Sequence, residues 1–201
     1  MELRQAVRAR SMVRSFRPDA LADGTVDDLC DIARRAPSAG NTQACEFLVL
    51  DSEAAVGRYW DVTLPEPRRS GFRWPGLLLA PVLVVVVVRP NSYVERYSEP
   101  DKARTGLGEG VERWSVPYWW VDAGAVAQNL LLAAVDASLG ACLFGLFEHE
   151  AAVARQFNIP SDRRLVATIA IGHRSDDDIE RGRSAQRPRS PLGEVLHRGH
   201  W

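Results

Sequence analysis

Excess charge of one sign, cysteine and long apolar runs are all scarce in this chain of 201 residues. Its 25 basic residues face 26 acidic ones, for a formal net charge of −1. Such a balance gives no electrostatic case for nucleic acid or an anionic membrane surface. The three cysteines, Cys30, Cys45 and Cys142, are odd in number, far apart and form no CxxC pair. That argues against a disulfide framework and a zinc site, and for reduced thiols in a cytosol. The most apolar run, Leu77 to Val88, is too short to span a bilayer and contains Pro81. Residues 1–5 lack the charged-then-apolar order of a signal peptide. These absences lead to the expectation of a soluble, cytoplasmic protein with no nucleic-acid or membrane partner.

Familiar catalytic signatures are missing too. No HExxH, GxSxG or P-loop pattern occurs, and Glu148-His149-Glu150 has the wrong spacing for a zinc helix. The glycines of residues 106–110 do not follow a strand and open a helix, so they read as a loop rather than a dinucleotide fingerprint. His149, His173, His197 and His200 form no ligand set, and no metal is expected.

What is present is an ordinary globular composition, 46% hydrophobic and 25% charged, enough for one cored domain over 1–201. Apolar spacing predicts helices at 2–9, from Thr25 to Ala36 with Thr25 and Asp28 as a capping box, at 52–59, 121–137 and 148–157. Strands are expected at 46–50, 82–88 and 164–172, with 140–147 extended. Residues 89–118 hold no sustained period and read as an irregular lid segment. Helices mixed with separated strands suggest an α+β fold.

Two stretches carry chemistry. In Arg10-Ser11-Met12-Val13-Arg14, two guanidinium groups flank a hydroxyl, a set suited to phosphate oxygens or to a plain polar turn. In Ala36-Pro37-Ser38-Ala39-Gly40-Asn41-Thr42-Gln43, small residues and two carboxamides suit either a heteroaromatic edge or an ordinary connection.

Taken in order, these stretches resemble the FMN-dependent nitroreductase family. Further pieces agree: Gln128-Asn129-Leu130-Leu131-Leu132 in a long central helix, Leu139-Gly140 followed by Phe144-Gly145, the strand ending at Gly172, and the basic tail around Arg187-Pro188-Arg189. The resemblance covers most of the chain. It implies an antiparallel or mixed sheet flanked by helices, in an intertwined homodimer with an exchanged C-terminal tail, residues 174–201. It implies FMN as cofactor, NAD(P)H as electron donor and a small planar acceptor, nitroaromatic or quinone-like. By the same resemblance Arg10, Ser11, Met12 and Arg14 belong to the first FMN-binding stretch, with the arginines near the phosphate and ribityl end. Arg187 and Arg189 are late phosphate contacts. Pro37, Ser38, Ala39, Asn41 and Gln43 reach the flavin from the partner subunit, and Phe144 and Gly145 lie against its ring. Flavin carries the chemistry, so no catalytic side chain is expected. Met12 stands where many relatives have Ser, and Ala44-Cys45 where relatives often have Pro-Trp. Lid aromatics Trp114, Tyr118 and Trp119 are candidate substrate contacts, although Trp119 adjoins the central helix and also suits the core. Dehydrogenation, dehalogenation, and a flavin-binding protein with little turnover are the alternatives.

Overall fold

The computed structural model describes residues 1–177 and 186–201. Its centre is β2 (Val82–Val88), seven consecutive residues all buried. A strand without polar alternation must be covered on both faces, and this one is. β2 pairs antiparallel with β1 (Cys45–Leu50) on one side and β4 (Arg164–Gly172) on the other, and β3 (Gly140–Phe144) closes the sheet in the order β1-β2-β4-β3. The register slips once, between Val86 and Val87 against β4.

The period-two pleat sends Leu83, Val85 and Val87 to one face, where Tyr59 and Trp60 of α3 (Glu53–Thr63) and Val153 of α6 (Glu150–Gln156) cover them. Val82, Val84 and Val86 go to the other face. There α2 (Thr25–Ala33) and α5 (Tyr118–Asp136) pack with Leu29, Ala123, Val126, Ala127 and Leu130. Short α1 (Leu3–Ala9) lies against α5. Among the described residues, no helix is long and apolar enough to cross a membrane.

Several boundaries differ from expectation for local reasons. The Thr25–Asp28 capping box does not form: Gly24, at φ 78°, is the N-cap and Thr25 is already helical. Helix α2 ends at Ala33 rather than running to Pro37. Helix α3 runs to Thr63, four residues past Tyr59, after Ser52 caps it by accepting from the Ala55 amide at 3.3 Å. Strand β3 stops at Phe144, and Phe147 adopts a φ of +48°. The 89–118 segment is not irregular throughout. It contains α4 (Asn91–Tyr97) and three short 3₁₀ turns, Ala103–Thr105, Leu107–Glu109 and Val111–Arg113. Part of the expected 174–201 tail, residues 178–185, lies outside the described residues. In the described part, the four-residue α7 (Leu192–Val195) forms, and Leu192, Val195, Leu196 and Trp201 are all exposed.

Candidate cofactor site

Residues 10–16 leave α1 and run beside the edge strand β3. The Val13 amide donates to the Ala141 carbonyl at 3.0 Å, and the Leu143 amide reaches Met12 Sδ at 3.4 Å. A Cβ on Gly140 would stand 2.9 Å from Val13, so glycine permits this close approach. The pairing positions Arg14, while the Arg10 amide donates to the Ala6 carbonyl of α1 at 2.9 Å. Arg14 donates to the Met12 carbonyl at 3.2 Å, and its guanidinium lies 5.2 Å from the centre of a Trp74 ring. Arg10 has a buried Nη1 without a hydrogen-bond partner. Ser11 is exposed. The Met12 sulfur is committed inward to β3, so the residue anchors this stretch rather than offering a polar group outward.

Arg14, Phe144 and Gly145 share the wall of a chamber of about 290 Å³ with Trp60, Phe72 and Trp74. Phe144 stacks on Trp60 at 5.8 Å with the planes 18° apart. Both Trp60 Nε1 and Trp74 Nε1 are buried and have no hydrogen-bond partner. Leaving a buried donor unanswered costs about 1–3 kcal/mol. Among the described residues, Arg10 Nη1 and these two indole nitrogens are the buried side-chain polar atoms so left. Two of the three belong to residues that line the chamber, and the third to the stretch that carries Arg14.

The 36–43 loop is organised separately. Gly40, Asn41 and Gln43 all take positive φ, at 62°, 56° and 53°. The Gln43 amide donates to Ser38 Oγ at 2.9 Å, and Gln43 Nε2 to Asn41 Oδ1 at 3.2 Å. Asp122, 6% exposed inside α5, accepts from the Ala39 amide at 2.8 Å and from the Tyr93 hydroxyl of α4 at 2.7 Å. Arg96 Nε donates to the Gly40 carbonyl at 2.8 Å, and Tyr97 packs so close to Gly40 that a Cβ would meet its ring at 2.7 Å. Burial, with the Asp122 carboxylate beside it, pushes the Tyr93 phenol pKa upward. Helices α4 and α5 thus hold the loop from behind, while Pro37, Asn41 and Gln43 face outward.

The structure therefore brings Arg10, Met12, Arg14, Phe144 and Gly145 to one edge of the sheet. Pro37, Ser38, Ala39, Asn41 and Gln43 form a second group that does not line the chamber. Arg187 and Arg189 are exposed on the tail. Of the lid aromatics, Tyr118 is exposed, but Trp114 and Trp119 pack around Tyr93, Ala44 and Val88, each only 7% exposed. Trp114 Nε1 donates to the Leu107 carbonyl at 3.0 Å, so its polar group is already used. Within this chain both tryptophans are packing residues.

Sequence reasoning passed over Asp122, Arg96, Trp60 and Trp74, and took Tyr93 as a lid aromatic that could stack on an acceptor, whereas it is buried with its hydroxyl on Asp122. A lone carboxylate inside an otherwise apolar helix was a legible sign for Asp122. The tryptophans have no spacing that marks them. A larger cavity, about 850 Å³, opens beside Asp23, Asp51 and Leu79; it shares Trp60 with the chamber and includes none of the expected site residues.

The chain is 30% identical over 194 residues to a 4-nitrobenzoate reductase of a Nocardioides species, covering 83% of this chain and 78% of that one. It is 28% identical over 185 residues to a 5,6-dimethylbenzimidazole synthase of Rhodobacter capsulatus, covering 85% and 82%. Its fold matches a crystal structure described as a putative nitroreductase in complex with FMN, from Exiguobacterium sibiricum. The TM-score is 0.74 at 20% identity, over 98% of this chain and 97% of that one. The model of the nitroreductase family matches residues 7–173, and the chain belongs to that family.

Proposed function

We propose that this protein is an FMN-dependent oxidoreductase that passes electrons from a nicotinamide nucleotide to a small planar acceptor, working as a homodimer. The observation that carries the reading is the coincidence of two independent features. The buried donors without partners, on Arg10, Trp60 and Trp74, fall beside the segments that family resemblance assigns to the flavin. A phosphate answers Arg10 by a charge-assisted bond, and the polar edge of a flavin ring answers indole N–H groups. The residues present therefore fit the cofactor.

FMN, when bound, supplies two-electron transfer between donor and acceptor. The chain's own residues hold and shape. Arg10 and Arg14 supply positive charge, Arg10 from the end of α1 and Arg14 from the segment paired to β3. Phe144 and Gly145 form one wall and Trp60 stiffens it. The APSAGNTQ loop turns its carboxamides outward, braced by Asp122 and Arg96. That orientation supports contact with a partner subunit's site rather than its own. Exposed Leu3, Val7, Ile32 and Val121 on the outer sides of α1, α2 and α5 offer an apolar surface for such pairing. A cofactor held with one face open to donor and acceptor in turn would give ping-pong kinetics.

The purified protein should be yellow, release FMN rather than FAD on acid treatment, and bleach anaerobically on adding NADH or NADPH. An acceptor panel then restores the colour. Release of FAD, or failure to take up FMN on reconstitution, overturns the cofactor assignment. Tight FMN that no nicotinamide nucleotide reduces overturns the donor.

A further inference from the structure

The rim of the chamber holds an aromatic ring in an unfavourable place. Phe147 lines the chamber yet is 85% exposed, and among the described large apolar residues only Trp201, at the chain end, is more so. Its φ is +48°. The other described non-glycine residues with positive φ are Asn41, Gln43, Ser138 and Asn158, all polar. Asparagine visits that region readily, whereas a bulky aromatic residue does so at a cost. In this conformation the Phe147 ring lies over Gly145, where an added Cβ would meet it at 3.2 Å. The turn is anchored. The His149 amide donates to the Leu146 carbonyl at 2.8 Å, and Glu150 accepts from Arg164 at 2.8 Å and from the Leu165 amide at 3.0 Å. A ring left in water adds little to folding, and backbone strain of this kind collects at ligand sites. His149, two residues on, also lines the chamber. Its Nε2 stands 3.6 Å from Glu148 Oε1, beyond hydrogen-bond range, so that neighbour does not commit the imidazole.

We propose that Phe147 and His149 form the seat of the electron acceptor at the chamber mouth, Phe147 stacking on its ring and His149 donating an imidazole N–H to an oxygen at the ring's edge. The acceptor class is then a flat quinone or nitroarene, held by one aromatic face and one hydrogen bond. This rests on the FMN reading above and deepens it. Phe144 and Gly145 are the wall assigned to the cofactor, and the exposed Phe147 ring covers Gly145, so a molecule stacked on that ring is next to that wall. Choice of acceptor moves from Trp114 and Trp119, which are buried packing residues, to the turn after β3.

Quinone binding to oxidised, FMN-loaded protein, with no electron donor present, tests the seat without turnover; perturbation of the flavin absorbance gives Kd. Phe147→Leu removes the ring and keeps the bulk. It should weaken 1,4-naphthoquinone about three- to tenfold and 1,4-benzoquinone less, because stacking grows with ring area. Phe147→Tyr should restore both affinities. His149→Ala should weaken the two quinones by similar factors, and His149→Gln, which keeps an N–H donor, should recover part of the loss. Phe147→Gly relieves the backbone, so flavin-free protein should unfold at the wild-type temperature or above it while naphthoquinone affinity falls as in Phe147→Leu. The proposal is overturned if the Phe147 variants keep wild-type affinity for both quinones or lose the two equally, or if His149→Ala binds both as wild type does. It is also overturned if Phe147→Gly unfolds well below wild type or sediments as a smaller species, which would make the ring a packing contact on a partner subunit. Wild-type protein that takes up no FMN overturns the cofactor reading and this one with it. Wild-type FMN uptake beside variants of unaltered quinone affinity overturns this one alone.

Discussion

Lys102 is the only lysine among 25 basic residues, and arginine keeps its proton throughout the range in which proteins fold. Behaviour in alkali therefore falls to thiols and phenols. Burial, with Asp27 adding to it, pushes Cys30 up to about 11. Burial, followed by the charges of Asp122 and Glu46, pushes Cys45 up to about 12. Burial raises Tyr59 to about 12 despite its 2.8 Å hydrogen bond to Thr168. Each folded value exceeds the unfolded one, about 8.5 for a thiol and about 10 for a phenol. The unfolded chain therefore ionises first. The stability these groups contribute is complete below about pH 8.5 and disappears as pH rises toward 11 and 12. Guanidinium unfolding in a pH series should give a level free energy around neutrality and a steady fall above about pH 9. A curve still flat at about pH 11 would mean that water reaches these side chains.

At the scale of elements, the coupling of α4 and α5 to the APSAGNTQ loop is the feature that sequence conveyed least. The strands were legible because β-branched runs such as Val82–Val88 have one reading, and β4 keeps the predicted bounds. Helix α4 was not, because seven residues with only Tyr93, Val94 and Tyr97 on the apolar side carry too little periodicity above a polar background. The cap of α2 was misread because glycine in a left-handed conformation, not a hydroxyl, begins it. For the proposed site, ordered motifs suggested the cofactor stretches, but tertiary contact alone brings in Trp60, Trp74 and Asp122. Asp122 joins three elements through two hydrogen bonds to a buried carboxylate, each worth about 1.5–3 kcal/mol. Asp122→Ala should destabilise the chain by about 3 kcal/mol and weaken FMN binding by freeing the loop. Tyr93→Phe should cost less alone and almost nothing in the Asp122→Ala background. Denaturant titrations around that cycle measure the coupling. Strict additivity of the two substitutions would show that they do not act as one unit.

At the scale of the molecule, the chain as described leaves much of its apolar surface uncovered. Leu192, Val195 and Leu196 are 71%, 61% and 46% exposed, and Trp201 is 97% exposed against a stacked His197. Full burial of the first three alone is worth roughly 1.5–3 kcal/mol each, and among the described residues no surface of the same chain supplies it. The outward loop 36–43 and the apolar sides of α1, α2 and α5 are likewise half of something. In the proposed homodimer a second copy would satisfy all three needs together: its helices would cover the apolar faces, its loop would complete the chamber, and its tail would find a groove. Arg187 and Arg189 would then arrive at the flavin phosphate. Removing residues 187–201 should accordingly abolish the dimer and flavin binding together, read by sedimentation and by absorbance near the flavin band. A truncated chain that stays dimeric and fully yellow would make the tail a solvated appendage and remove both arginines from the site. A monomer that keeps its FMN would sink the shared site instead, since the Asn41 and Gln43 carboxamides could not then be reaching the ring from a partner.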